Sequence, residues 1–281
     1  MDVLVVVLAG GVGKRLWPIS TPWRPKYFLK IGGVSLIELA FCRGILLGNA
    51  ANVFISTSQG NDSVLRKEIP MLLESNIIVE PQVMNTAPAI CLANEILYHR
   101  FGPRPIVFMP SDSVINGDNG FVATLSLATT FVSGGRGMAV VGVTPGGPSS
   151  QYGYIEIDRA MGRHRKMFPV ARFVEKPDQM IAKKYLLSGK YLWNTGMVIS
   201  TTSFVREAFR LHTMDIYKNV LKYIHGDVQA YGLAKNISFD HAILEKLENL
   251  SVIIGDFDWG DIGSFETLMK YRCEYKTSNL A

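Results

Sequence analysis

The sequence predicts an α/β protein with an open, mostly parallel, mixed sheet flanked by helices. Three observations carry that expectation. Val3-Leu4-Val5-Val6-Val7-Leu8 is a short, unbroken apolar run, rich in β-branched residues and followed closely by glycines. That is the pattern of a strand buried on both faces of a parallel sheet. From there to Pro110, strand-like runs alternate with helix-like periods, as βαβ units require. Beyond residues 138–143 the alternation loosens into period-two stretches, which read as mixed-sheet strands carrying insertions.

The elements follow in order. Ser35-Leu36-Ile37-Glu38 has the spacing of a capping box, and apolar residues at 36, 37, 40, 41 and 45 continue it as a helix. Residues 53–57 read as a second strand, 62–69 as a helix and 77–80 as a third strand. Asn85-Thr86-Ala87-Pro88 opens another helix, with Asn or Thr as its cap and Pro in its first turn. Residues 105–109 form a fourth apolar strand that runs into Pro110-Ser111-Asp112. Residues 138–143, 152–157 and 170–174 are strand-like. Pro177-Asp178 starts a helix that Gly189 ends, and Trp193-Asn194-Thr195-Gly196 leads into a strand at 197–200. Helices are expected near 203–211 and 240–247, a strand at 251–257, and a closing helix to about Tyr271.

The bulk numbers bound the class. With 281 residues, 48% hydrophobic and 19% charged, the chain has material for one large domain or two tightly joined halves. A net charge of +5 suits small polyanions, and no Lys/Arg run interleaved with aromatics points to nucleic acid. The first apolar run is too short to span a bilayer and lacks a basic leader, so neither signal peptide nor membrane anchor is expected. Cys42, Cys91 and Cys273 are odd in number and widely spaced, which fits a reducing cytoplasm. The five His residues are scattered and form no metal cluster. The basic stretch holding Arg159, Arg163, His164, Arg165 and Lys166 reads as a solvated turn. Trp17 and Trp23 are expected in aromatic core rather than stacked on a base.

The loop after the first strand carries the chemistry. Ala9-Gly10-Gly11-Val12-Gly13 is followed by Lys14, Arg15, Arg24 and Lys26. Glycines let backbone N–H groups approach an anion, and the basic side chains add full charges around it. A P-loop needs Ser or Thr after Gly13-Lys14, where this chain has Arg15. A dinucleotide fingerprint needs a third glycine where this chain has Leu16. Other candidates sit where open sheets bind ligands, beyond the carboxyl ends of strands: Glu80, Asp112 and Asp261. Two such carboxylates beside a phosphate loop make a reasonable Mg²⁺ site, although each alone is equally readable as a turn or helix cap.

The pattern Gly-Gly-x-Gly-x-Arg-Leu-x-Pro, with Arg24-Pro25-Lys26 downstream, resembles the sugar nucleotidyltransferases, and most of all the mannose-1-phosphate guanylyltransferases. Eight motifs in the family's order extend the resemblance over nearly the whole chain. Among them are Pro110-Ser111-Asp112, Phe173-Val174-Glu175-Lys176-Pro177, Trp193-Asn194-Thr195-Gly196, Ser238-Phe239-Asp240-His241 and Trp259-Gly260-Asp261. Ser111, Ser113, His241, Phe265 and Met84 depart from the family's usual residues.

The resemblance implies a Rossmann-like, GT-A-like nucleotidyltransferase fold as a single catalytic domain over 1–281. Its nucleotide half would run to about 115 and its sugar-phosphate half over about 116–275, with no C-terminal β-helix or isomerase domain. It implies transfer of GMP from GTP to mannose 1-phosphate, with Mg²⁺ as cofactor. Another nucleotide or sugar, or a non-catalytic nucleotide-sugar sensor, is the alternative. Leu8, Ala9, Gly10, Gly11, Gly13, Lys14, Glu80, Asn85, Thr86, Ala87 and Asp112 would meet the nucleotide, Glu80 at the guanine edge. Arg15 and Lys26 would act on the triphosphate. Gly153, Glu175, Lys176 and Asn194 would hold the sugar phosphate, and Asp112 with Asp261 the metal. Assembly as a homodimer stays open.

Overall fold

The first strand is apolar at every position because core lies on both sides of it. The structure, a computed structural model of the chain, describes residues 2–11, 13–158 and 166–278, with backbone alone from 273. Strand β1 (Leu4–Ala9) sends Leu4 and Val6 into one apolar cluster and Val5, Val7 and Ala9 into another, none more than 1% exposed. It is followed by β2 (Lys30–Ile31), β3 (Val34–Ser35), α1 (Leu36–Leu46), β4 (Val53–Ser58), α2 (Asp62–Glu68), β5 (Ile77–Glu80), α3 (Thr86–Phe101) and β6 (Pro105–Pro110). The chain continues through β7 (Ser113–Asn116), α4 (Asp118–Ser133), β8 (Met138–Val143), β9 (Tyr154–Ile157), β10 (Met167–Val174), α5 (Gln179–Ser188) and β11 (Tyr191–Thr201). It ends with α6 (Thr202–His212), α7 (Met214–Ile224), α8 (Phe239–Ala242), β12 (Leu250–Ile254), β13 (Asp258–Asp261) and α9 (Phe265–Ser278).

The central sheet has the strand order β5-β4-β1-β6-β11-β8-β12-β10-β9. Strands β5, β4, β1 and β6 run parallel, as the early alternation predicts. Strand β11 is antiparallel to both β6 and β8, β12 is parallel to β8, and β10 is antiparallel to β12 and β9. The mixed pairings therefore fall in the second part of the chain. Helices α3, α6 and α7 pack on one face of the sheet, and α1 and α4 on the other. A smaller cluster of Leu16, Leu29, Leu36, Val114, Ile262 and Leu268 ties the flank of the glycine loop to β7 and to the segment after β13.

Several elements differ from expectation. Helix α4 was hidden because Thr124, Thr129, Thr130 and Ser133 are poor helix formers. Each donates its hydroxyl to the carbonyl four residues back, at 2.7–2.9 Å, which satisfies the side chain inside the helix. Its apolar positions 121, 125, 128 and 132 nevertheless repeat with helical period. Helix α7 was likewise not foreseen. The helix expected over 240–247 is short, since Ile243 leaves helical geometry at φ −128°, ψ −59° and a 3₁₀ turn follows. The last sheet strand stops at Ile254. Trp17 and Trp23 are not core: they are 75% and 90% exposed. Of the basic turn only Lys166 lies among the described residues, bonded to Asp256 at 3.1 Å; Arg159, Arg163, His164 and Arg165 lie outside them, as does Val12.

Candidate active site

Strand β1 ends in a loop shaped around Lys26. Gly13 has φ 78°, and a Cβ there would come 2.6 Å from the Lys26 Cβ, so both backbone and space require glycine. The Gly13 carbonyl accepts from Ser20 Oγ at 2.5 Å and from the Leu16 amide at 2.8 Å, which closes the 3₁₀ turn Lys14–Leu16. Lys14 and Arg15 stand exposed on that turn. Lys26 opens a second 3₁₀ turn, Lys26–Phe28, whose Tyr27 and Phe28 are buried and anchor it.

Lys26 reaches Asp112, just past β6, in an ion pair. Burial works against its charge, but Asp112 and Asp261 outweigh that and hold its ammonium above the ordinary pKa. Asp261 arrives from a different direction. Strand β13 pairs with β7 as a separate two-stranded ribbon, Asp261 opposite Ser113, and the Ile262 amide donates to the Asp112 carbonyl at 3.0 Å. The Asp112 and Asp261 carboxyl groups are near enough for charge on one to oppose ionisation of the other. Burial first, then repulsion from Asp112, pushes Asp261 up to about 7. Two carboxylates held that close store a repulsion that a divalent cation relieves. Among the described residues no cluster of three or more His, Cys, Asp or Glu could hold a metal. Magnesium needs no more than one or two carboxylates with phosphate oxygens and water, so the Asp112–Asp261 pair fits it.

Two cavities meet at this wall, sharing Lys26, Pro110, Asp112, Gly196 and Asp240. The first, about 510 Å³, is lined by Leu8, Ala9, Gly10, Gly11, Glu80, Asn85 and Thr86, with apolar side chains such as Val83, Ile90, Phe239 and Leu244. Asn85 takes φ 69° to cap α3, accepting from the Thr86 amide at 2.9 Å. Glu80 is 3% exposed; burial raises its carboxyl pKa, while donors from Tyr231 and Ser56 pull it back. Of the expected nucleotide contacts, Gly13 and Lys14 line the second cavity instead, and Ala87 stands apart from both. It is fully buried, lines neither cavity, and its amide donates to the Ile237 carbonyl at 3.2 Å.

The second cavity, about 400 Å³, is lined by Gly13, Lys14, Arg15, Gly153, Glu175, Lys176, Asn194 and Asp261. Its walls are polar and charged. A Cβ at Gly153 would meet a Glu175 oxygen at 2.7 Å, so the glycine lets that carboxylate lie across β9's entry. Lys176, at φ 43°, pairs with Glu175. Asn85 and Lys176 are the non-glycine positive-φ residues among those described, one in each cavity.

Asp240 is the residue sequence reasoning missed. It lines both cavities and accepts from Asn194 Nδ2 at 3.0 Å, while the Asn194 Oδ1 accepts from the Gly196 amide at 3.0 Å. Burial, then Glu175, raises its pKa. The Ser238–His241 motif was visible. Yet Ser238 caps α8, accepting from the His241 amide at 3.3 Å, and an Asp in such a first turn reads as helix-start chemistry.

Among the described residues no helix is long and apolar enough to cross a membrane. Cys42 and Cys91 are free.

Known proteins resemble this chain over nearly its full length. It is 31% identical over 281 residues to the xanthan biosynthesis protein XanB of Xanthomonas campestris pv. campestris (strain B100), covering 95% of this chain and 59% of that one. It is 30% identical over 293 residues to a mannose-1-phosphate guanylyltransferase of Escherichia coli (strain K12), covering 98% and 61%. The chain thus spans about three fifths of the length of the curated relatives it matches. A solved Thermus thermophilus structure described as a mannose-1-phosphate geranyltransferase superposes with a TM-score of 0.87 at 27% identity, over 96% of this chain and 79% of that one. A nucleotidyl transferase family model matches residues 4–278, and the chain belongs to that family.

Proposed function

We propose that this chain transfers GMP from GTP to mannose 1-phosphate, releasing pyrophosphate and forming GDP-mannose. The observation that carries the reading is the pair of cavities meeting at Lys26 and Asp112. One has the size and apolar walls for a nucleoside, with a buried carboxylate at its edge. The other presents Lys176, Glu175, Asn194 and Asp240, suited to a phosphate and several hydroxyls. The nucleotide half of about 1–115 supplies most of the first cavity and the half of about 116–275 most of the second. Phe239, Asp240 and Leu244 cross into the first, and the phosphate loop crosses into the second. The names of the Escherichia coli and Thermus thermophilus relatives support mannose 1-phosphate as the acceptor.

The nucleophile is already an anion, so no Ser or Cys is needed. Catalysis consists of holding two mutually repelling anions in line and neutralising charge at the α-phosphate and the departing pyrophosphate. Lys176 holds the sugar phosphate, and Glu175 and Asn194 orient sugar hydroxyls. Lys26, fixed by its pairing with Asp112, faces the junction where the two substrates meet. Arg15, on the exposed turn beside it, takes up charge on the pyrophosphate. Asp112 and Asp261 would hold Mg²⁺, which when bound supplies positive charge to phosphoryl oxygens.

Pyrophosphate release, measured with each of four NTPs against several sugar 1-phosphates and Mg²⁺, tests this. The expected result is turnover that is fastest with GTP and mannose 1-phosphate. Tight binding of GDP-mannose with no pyrophosphate release would make the chain a sensor instead.

A further inference from the structure

Glu80 is held from two sides by hydroxyl groups, one of them far away in sequence. Ser56 Oγ on β4 donates to its Oε1 at 3.2 Å. The Tyr231 hydroxyl donates to its Oε2 at 3.0 Å across 151 positions. Tyr231 sits on the 3₁₀ turn Ala230–Leu233, between α7 and α8, and is fully buried. Its ring packs 5.5 Å from that of Tyr223, and Ala230 and Ala234 beside it are also buried. This packing holds the ring with its hydroxyl on Glu80.

We infer that Tyr231 is a specificity-determining positioning residue, which fixes the Glu80 carboxylate as a two-oxygen acceptor aimed at the base edge of the nucleotide cavity. The inference rests on the reading of that cavity as a guanine site. Each carboxylate oxygen has two acceptor positions; one on each is taken by a hydroxyl and the other is left for the cavity. A purine with adjacent N1–H and N2–H donors satisfies both. Adenine presents an acceptor at N1 and no amine at C2, so it leaves a buried carboxylate facing a lone pair. Tyr231 does not touch the nucleotide in this account. It restricts the rotation and opposes the protonation by which an isolated buried carboxylate would adapt to the wrong base.

The test is kcat/KM for GTP and for ATP, with Mg²⁺ and saturating mannose 1-phosphate, in the wild type, Tyr231→Phe, Ser56→Ala and Glu80→Gln. Tyr231→Phe keeps the buried ring and removes one donor to a charged acceptor. It should lower the GTP/ATP ratio about tenfold, mainly through KM for GTP, and leave KM for mannose 1-phosphate within about twofold. Ser56→Ala should shift the ratio in the same direction, and it carries the test if the Phe variant is poorly folded. A ratio unchanged in Tyr231→Phe and Ser56→Ala but lowered in Glu80→Gln overturns the inference and leaves the guanine reading standing. A ratio unchanged in all three overturns both. Parallel loss of GTP, ATP and sugar-phosphate affinity in Tyr231→Phe makes its role merely structural and also overturns it.

Discussion

Asp261 shows how a single residue trades stability for a site. Its carboxyl, ordinarily near 3.8, is raised to about 7 by burial and by Asp112. A raised folded pKa means that the folded protein keeps a proton which the unfolded chain has lost. The contribution is fully present below about pH 4, and falls away as pH rises towards 7. In metal-free protein, Asp261→Asn should therefore gain thermal stability relative to wild type as pH rises from 5 to 8, and the gain should shrink when Mg²⁺ is added to the wild type. A difference in Tm that stays constant across that pH range would argue that the pair is not electrostatically strained. The same substitution, and Asp112→Asn, should cut turnover by about 100-fold or more if the proposed Mg²⁺ site holds, since each would remove an anionic ligand from a cation with few protein ligands. Neither Asp could be told from a turn cap by its own neighbours. The resemblance singled them out, and the structure adds their proximity to each other and to Lys26. Asp240 lay within one of the resembling motifs but was given no role, because its sequence surroundings are explained by the start of a helix.

At the scale of elements, the ribbon of β7 and β13 matters most and was least legible. Its strands have four residues each and lie about 140 positions apart, too short and too distant for periodicity to pair them. Beside the apolar contacts of Val114, Ile115 and Ile262, Arg43 of α1 ties the ribbon to the body. It is 7% exposed and donates to the carbonyls of Ser113 at 3.0 Å and Ile115 at 3.5 Å. Burial, against a smaller contribution from Asp118, drops its pKa to about 10. A planar guanidinium can span alternate carbonyls on one strand edge, whereas an ammonium cannot. Arg43→Met should thus destabilise the protein by about 2 kcal/mol, by leaving two inward carbonyls without their donor. Arg43→Lys should recover only part. Amide exchange should rise first at 113–116 and 258–261; uniform exchange throughout the chain would show that Arg43 is ordinary core instead. The parallel strands, by contrast, were readable because burial on both faces makes them largely apolar, as in β1 and β6. Helix α4 was not, because its hydroxyls hid a helical period that its apolar residues do carry.

At the scale of the whole molecule, two opposed cores and one sheet bring the glycine loop after β1, the end of β6 and the β11 strand to a single seam. The seam separates the cavities while sharing five residues between them. That arrangement predicts how variants combine. Glu80→Gln, in the first cavity, should raise KM for GTP and leave KM for mannose 1-phosphate nearly unchanged. Lys176→Ala, in the second, should do the reverse, because the sugar phosphate proposed as its partner would be bound alike in ground and transition states. Energies of distant, unshared sites add, so the double variant should lose the sum of the two single losses to within about 0.5 kcal/mol. Lys26→Ala cannot behave this way. It faces both cavities and partners Asp112, so its loss should fall on both substrates and on kcat, and should combine non-additively with Glu80→Gln or Lys176→Ala. Under a bulk-charge account, Lys176→Ala would weaken both anionic substrates alike and added salt would mimic it. Steady-state kinetics with each substrate varied in turn distinguishes the two. Equal losses of GTP and mannose 1-phosphate in Lys176→Ala would mean that the seam does not divide the substrates.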